Sequence, residues 1–322
     1  MDLWWDTSVE VVEFPIRVIG VQRLTQEQEI IKPEHVTGYT MIKSNKEFPK
    51  IIWFLWLQGI ENAPYVVRKC ETSWRVHNPG WKFIVLDEKN IGDYFDVNRV
   101  IKKNCKYITP QAMSDIVRIN LLNNFGGVWA DATCFCNKPL DDWLENYMDM
   151  GFFAFDTPGD DRAISSWFLS SRPESKITSR FCEEVNRYWL KNYFSNQNNR
   201  IGRFFYNHVH KRIRRSKYES MQFWLLFTVM KTFKVYPYFW FHYLFGLLIG
   251  KDKLFRQEWN SMKKYSADIP HVLQKNGLFK PLSKQARIEI DNKQAPLYKL
   301  TWKYDETSYV KGCTLEYLLE HA

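Results

Sequence analysis

Apolar residues along this chain fall into short continuous runs separated by helix-patterned stretches, which is the signature of a buried parallel sheet with crossover helices. After Pro49 the run PKIIWFLWLQG, rich in aromatic and β-branched residues and closed by Gly59, predicts a first strand. APYVVRKCETSWRVHNPG predicts a helix with Pro64 in its first turn and NPG as its stop, and WKFIVLDEKN a second strand ending at Asp87. Such strand, helix, strand units cross over right-handed in nearly all cases. A second helix follows, with Thr109 as N-cap, Pro110 in its first position and Gly126 and Gly127 as terminators, and VWADATCFC reads as the next strand. The expectation is an α/β, doubly wound sheet, whose ligands bind at the carboxyl ends of the strands. Gln58, Asp87 and Asp131 fall at those ends.

Three regions emerge. Residues 1–45 are a polar, mixed N-terminal arm, and residues 46–200 form the sheet-based core, with GFFAFD and SSWFLSS as further strand-like runs and SKITSRFCEEVNRYWLKNYF as a helix. No glycine- or serine-rich linker separates this core from residues 201–322, which read as a helical elaboration that completes the site. There the run RIGRFFYNHVHKRIRRSKYES is densely basic, and MQFWLLFTVMKTFKVYPYFWFHYLFGLLIG is strongly apolar. Lys231, Lys234 and Pro237 cut the second run into pieces shorter than the roughly 20 residues a bilayer span requires. A basic run beside an aromatic one suits either contact with an anionic membrane surface or buried helices with a solvated basic face.

Composition narrows the class. With 45% hydrophobic and 17% aromatic residues in 322, the chain is globular rather than disordered. Its net charge of +9 favours an anionic partner. Nucleic acid is excluded as the expectation, because the basic run KRIRRSK lies in no recognised binding module. Cys70, Cys105, Cys134, Cys136, Cys182 and Cys313 contain no CxxC pair, so neither a zinc site nor a disulfide framework is expected. The start, MDLWWDTSVEVVEF, lacks a basic, then apolar secretion signal. The expected location is cytoplasmic and peripheral, at the inner face of the plasma membrane.

The chemistry concentrates in SDIVRINLLNNFGGVWADATCFC. Asp115 and Arg118, three apart, share a helix face, and the double glycine places Asp131 at the mouth of the next strand. By themselves the first two residues make an ordinary salt bridge. With Asp131 they form a site suited to a diphosphate-bearing donor. A guanidinium orients phosphate oxygens through paired hydrogen bonds, while carboxylates accept from sugar hydroxyls and hold hard cations.

The ordered segments PKIIWFLWLQG, SWRVHNPGWKFIVLD, SDIVRINLLNNFGGVWADAT, YFWFHYLFGLLIGKDKLFRQEW and SADIPHVLQ, spread over residues 48–280, resemble the capsular polysaccharide synthesis proteins. These are relatives of the DXD-containing glycosyltransferases of family 32. The resemblance implies a GT-A-like fold and transfer of a hexose, glucose or galactose, from a UDP-sugar to a glycan or polyprenyl-diphosphate-linked acceptor, with anomeric retention. It further implies that Asp115 and Arg118 contact the donor, that Asp131 is the first acid of the DXD motif, and that Leu57, Gln58 and Asp87 lie near the nucleoside.

Thr133 departs from the wider pattern by standing in place of the second acid, the usual ligand of Mn²⁺ or Mg²⁺. Either the metal is held by Asp131, the diphosphate and water, with Thr133 and Asp268 completing the set and His271 closing over the donor from the C-terminal side, or metal dependence is weak. Loss of that acid also motivates a rival reading, a non-catalytic sugar- or lipid-binding protein on the same fold. His242, Trp53 and Trp81 read as packing residues; Trp56 reads as packing or as a platform for a base.

Overall fold

The computed structural model describes residues 48–101, 105, 108–194, 204, 222–303 and 311–321. The N-terminal arm and most of the basic run lie outside them. The described residues from Phe48 onward belong to one compact unit.

Strands β1 (Ile51–Leu55), β2 (Lys82–Leu86) and β3 (Gly127–Asp131) are parallel, with β1 in the middle. Helix α1 (Tyr65–His77) connects β1 to β2, and α2 (Pro110–Phe125) leads into β3. Pro64 stands one residue before α1 in extended conformation rather than in its first turn. Thr109 caps α2 as expected, its hydroxyl accepting from the Ala112 N–H at 3.1 Å.

The strand expected over VWADATCFC is two strands. After Asp131 the chain leaves the sheet through Ala132 and Thr133, and β4 (Cys134–Cys136) pairs elsewhere. Strands β5 (Phe152–Gly159) and β6 (Arg162–Ser171) form a hairpin that extends the main sheet to the order β2-β1-β3-β6-β5. The sheet carries helices on both faces as expected, and it is mixed, because β6 runs antiparallel to both β3 and β5.

Alternation along each strand divides the core between the two faces. Ile52, Phe54, Val128, Ala130 and Phe168 pack against Val66, Val67 and Trp74 of α1. Trp53, Leu55, Trp129 and Leu169 pack on the opposite side against Ile116, Val117 and Leu121 of α2. That second side also holds α3 (Lys176–Lys191), α5 (Trp240–Lys251) and α6 (Lys253–Ser261), while α4 (Gln222–Thr232) packs on α5. Much of the aromatic run, including Trp240, Phe241, Tyr243 and Phe245, is thus buried inside the protein. Among the described residues no helix is long and apolar enough to cross a membrane.

After α7 (Val272–Asn276) and α8 (Lys284–Asp291), strand β7 (Leu297–Lys299) returns to pair antiparallel with β4, and α9 (Thr314–His321) packs on the same side. This return fixes the C-terminal part beside the end of β3.

Candidate active site

The register Leu55 to Leu86 and Leu55 to Asp131 aligns the carboxyl ends of the three parallel strands. The turn feeding β3 needs both glycines. Gly126 and Gly127 have φ of 68° and 88°, and a Cβ on Gly127 would lie 2.4 Å from the Ile51 carbonyl oxygen. The Trp53 indole N–H secures this turn by donating to the Gly126 carbonyl at 3.0 Å.

Arg118 is the hub of the site and is nearly closed off from solvent. Its Nη1 lies 3.3 Å from Asp115 Oδ1 and its Nη2 lies 3.2 Å from Asp131 Oδ1. It also donates to the Ser114 hydroxyl at 2.8 Å and to the Ser166 carbonyl of β6. Trp129 and Phe241 flank the guanidinium at 5.1 and 5.9 Å from their ring centroids. The structure thus brings Asp115, Arg118 and Asp131 into one cluster.

The two acids differ in environment. Burial, opposed by Arg118 and assisted by Asp131, pushes the Asp115 carboxyl up to about 7. Burial acts in the same direction on Asp131, but Arg118, Lys299 and a 2.9 Å hydrogen bond from the Trp129 indole outweigh it and hold that carboxyl below its ordinary value. Near neutral pH the site therefore pairs a firmly ionised acid with one that can carry a proton.

Sequence reasoning missed Lys299. Its ammonium nitrogen lies 2.6 Å from Thr133 Oγ1 and 3.4 Å from Asp131 Oδ2. The residue belongs to a three-residue strand 166 positions from Thr133, and no local periodicity marks it.

The remaining expected residues are placed less tightly. Leu57 and Gln58 follow β1, with Leu57 partly buried and Gln58 exposed. Asp87 follows β2, where its carboxylate accepts the N–H groups of Lys89 and Asn90 at 2.8 and 2.9 Å and so closes a turn. Trp56 packs edge-on against Trp302 at 5.7 Å. Trp53 is buried in the core as expected, and Trp81 donates its indole N–H to Asp141 at 3.1 Å.

The loop holding Asp268 and His271 is tied to β5, since the Ala267 N–H donates to the Asp156 carbonyl at 2.9 Å. His271 hydrogen-bonds the Ala267 carbonyl through Nδ1 at 2.7 Å and packs edge-on against Trp167. Asp268 is exposed and pairs with Lys275. No hydrogen bond among the described residues joins it to Asp131 or Thr133, the other two members of the expected metal set.

His242 on α5 has no hydrogen-bond partner for Nδ1 among the described residues. Burial, with Arg162 and Arg118 nearby, holds its pKa well below the usual value. At the start of this segment, burial and the charges of Asp115 and Asp131 raise the pKa of the Tyr238 phenol.

A divalent cation does not fit the residues present. Mg²⁺ and Mn²⁺ require several oxygen ligands at about 2.1 Å. Here Asp131 Oδ1 serves Arg118 and Trp129, while the Lys299 ammonium engages Asp131 Oδ2 and Thr133 Oγ1, the two oxygens that would face the ion. Among the described residues no group of three His, Cys, Asp or Glu side chains is arranged to hold a metal.

The family described as capsular polysaccharide synthesis protein matches this chain over residues 25–224 and 194–318. An initiation-specific alpha-1,6-mannosyltransferase of Candida albicans (strain SC5314 / ATCC MYA-2876) is 32% identical over 111 residues, 32% of this chain and 28% of that protein. The O-glycosyltransferase braB of Annulohypoxylon truncatum is 24% identical over 57% of this chain and 47% of its own length. The uncharacterized glycosyltransferase L373 of Acanthamoeba polyphaga mimivirus is 30% identical over 33% and 41%. Each match spans less than half of the relative's length. Among solved structures, PaToxG Glycosyltransferase aligns over 76% of this chain and 84% of its own at 12% identity, with a TM-score of 0.32. The family match runs across the sheet, the Asp115, Arg118 and Asp131 cluster and the returning strand β7, and on that extent the chain belongs to the capsular polysaccharide synthesis protein family.

Proposed function

We propose that the protein is a glycosyltransferase that moves a hexose, glucose or galactose, from a UDP-sugar to a glycan or polyprenyl-diphosphate-linked acceptor in surface polysaccharide synthesis, with anomeric retention. The observation that carries this reading is the convergence of Asp115, Arg118, Asp131 and Lys299 at the carboxyl ends of parallel strands, where α/β sheets bind their ligands. Glycosyltransferase is also the activity named for the relatives that this chain matches. Arg118 orients the donor diphosphate. Asp115, whose carboxyl titrates near neutrality, exchanges hydrogen bonds with the donor's hydroxyls. Asp131 keeps both cations in place, and Leu57, Gln58, Asp87 and His271 border the donor. Much of the rate then comes from positioning and from charge stabilisation at the leaving group.

The acceptor reading places the protein against the inner face of the membrane. It is supported by the net charge of +9 and by the basic run, most of which lies outside the described residues. Attachment would be peripheral.

Nucleotide release from a panel of UDP-, GDP- and other nucleotide sugars, with membrane extract as acceptor, tests the proposal. Release from one donor that falls about a hundredfold, roughly 3 kcal/mol of transition-state stabilisation, in Asp131→Asn is the expected result. No release from any donor would favour the non-catalytic reading instead.

A further inference from the structure

Given the proposed sugar transfer, on which this inference rests, the metal expectation and the site disagree in an informative way. In a two-acid site the cation sits between the carboxylates and offsets the charge of the donor diphosphate. Here the corresponding interval contains an ammonium group, 2.6 Å from Thr133 Oγ1 and 3.4 Å from Asp131 Oδ2.

The backbone fixes that ammonium from both sides. Lys299 is paired with Cys134 across the β4–β7 ladder, and its own N–H donates to the Pro270 carbonyl at 2.8 Å. The next N–H, of Leu300, donates to the Thr133 carbonyl at 2.8 Å. The side chain is only 17% exposed, so the charge is held in place rather than swinging in solvent. Such preorganised charge is worth most where charge develops during a reaction.

Charge counting points the same way. Arg118 and Lys299 both lean on the single carboxylate of Asp131. The neighbouring thiols of Cys70 and Cys134 are pushed up by burial, Cys134 to about 12, and remain neutral. Asp131 is the one carboxylate paired with Lys299 among the described residues. The other acid at Arg118, Asp115, titrates near 7, so two cations face one ionised acid and one that is about half protonated near neutral pH, which leaves net positive charge for an incoming anion. A threonine at position 133 is then the fitting partner, because its hydroxyl accepts a hydrogen bond from the ammonium without neutralising it.

We propose that the Lys299 ammonium takes the place of a divalent cation, so that the protein binds and activates the diphosphate of its donor without a metal. In the transfer step the bond between the anomeric carbon and the terminal phosphate oxygen breaks with its electron pair on that oxygen. Lys299 and Arg118 stabilise the resulting charge. The acceptor oxygen forms the new bond to the anomeric carbon, and its proton passes to the released nucleoside diphosphate in exchange with solvent. No co-reactant beyond donor and acceptor is needed.

Calorimetric binding of UDP, GDP, CDP and ADP to the full-length protein, in EDTA and in Mn²⁺, tests this without relying on turnover. The expected result is that the best-binding nucleotide keeps its affinity within about twofold in EDTA, loses at least about tenfold in Lys299→Met, and recovers most of it in Lys299→Arg. The double substitution Thr133→Asp with Lys299→Ala should make binding depend on Mn²⁺.

A wild-type affinity that falls tenfold in EDTA and returns with Mn²⁺ would overturn the inference while leaving the sugar-transfer reading intact. Unchanged nucleotide affinity in a folded Lys299→Met would also overturn it. Failure of every nucleotide to bind wild type under either condition would remove the sugar-transfer reading, and this inference with it. Should Lys299→Met fold poorly, the wild-type comparison, together with Mn²⁺ paramagnetic resonance in the presence of nucleotide, decides the question. Free Mn²⁺ signal at saturating nucleotide supports the inference, and site-bound signal overturns it.

Discussion

Replacing Asp115 with asparagine should stabilise the fold at alkaline pH while impairing the site. Asp115 faces Arg118 on its own helix, with Asp131 of β3 and the Tyr238 phenol within electrostatic reach, and its carboxyl is raised from 3.8 to about 7. Between those two values the folded protein holds a proton that the unfolded chain has released. Unfolding free energy therefore falls as pH rises through this window. The contribution of the protonated form is fully present below the unfolded value and is lost as pH passes the folded one.

At 1.36 kcal/mol per unit, the cost to wild type is about 1.7 kcal/mol at pH 5 and about 4 kcal/mol at pH 8.5. The amide of Asp115→Asn cannot ionise, so the variant's advantage over wild type should grow by about 2–3 kcal/mol across that interval. Thermal melts at the two pH values should show this as a melting-temperature difference that widens by about 3–5 °C. Parallel pH profiles for wild type and variant would refute the reasoning, because they would mean that Asp115 is ionised throughout. Donor binding by the same variant should weaken, which makes this a position where stability is given up for function.

Other substitutions probe the turn, the hub of the site and the core. Gly127→Ala forces a Cβ to within 2.4 Å of the Ile51 carbonyl at a φ of 88°, and should cost about 3 kcal/mol or more in urea unfolding. Gly80→Ala, with nothing within 4 Å of the added carbon, should stay within about 0.5 kcal/mol of wild type. Arg118→Lys keeps the charge but not the planar fork that spans Asp115, Asp131 and Ser166, and should lower sugar transfer about a hundredfold with little change in the far-ultraviolet spectrum. Tyr243→Phe removes the 2.8 Å hydrogen bond to the buried Asp161 carboxylate and should cost about 1–3 kcal/mol, read as a lower denaturation midpoint.

What the sequence disclosed follows the range over which each signal acts. The Thr109 cap, Pro110, the double glycine and Asp131 form one continuous stretch, so the helix, the turn and three charged members of the site could be read together. Helix α5 was ambiguous for a physical reason. Phe241 packs toward the sheet and α3, while Tyr243 packs toward α4, so an internal helix buried nearly all round carries no polar stripe and resembles a membrane-facing segment.

The split of VWADATCFC was equally hidden, because β4 is apolar throughout and its partner is a three-residue strand near the other end of the chain. That same pairing delivers Lys299 to Thr133. Read locally, Thr133 is an acid lost from a metal motif. In the fold it is the hydroxyl that receives an ammonium. A threonine that looks like a defect in the turn after β3 is met by a cation carried on β7, and the β4–β7 ladder places the two in contact.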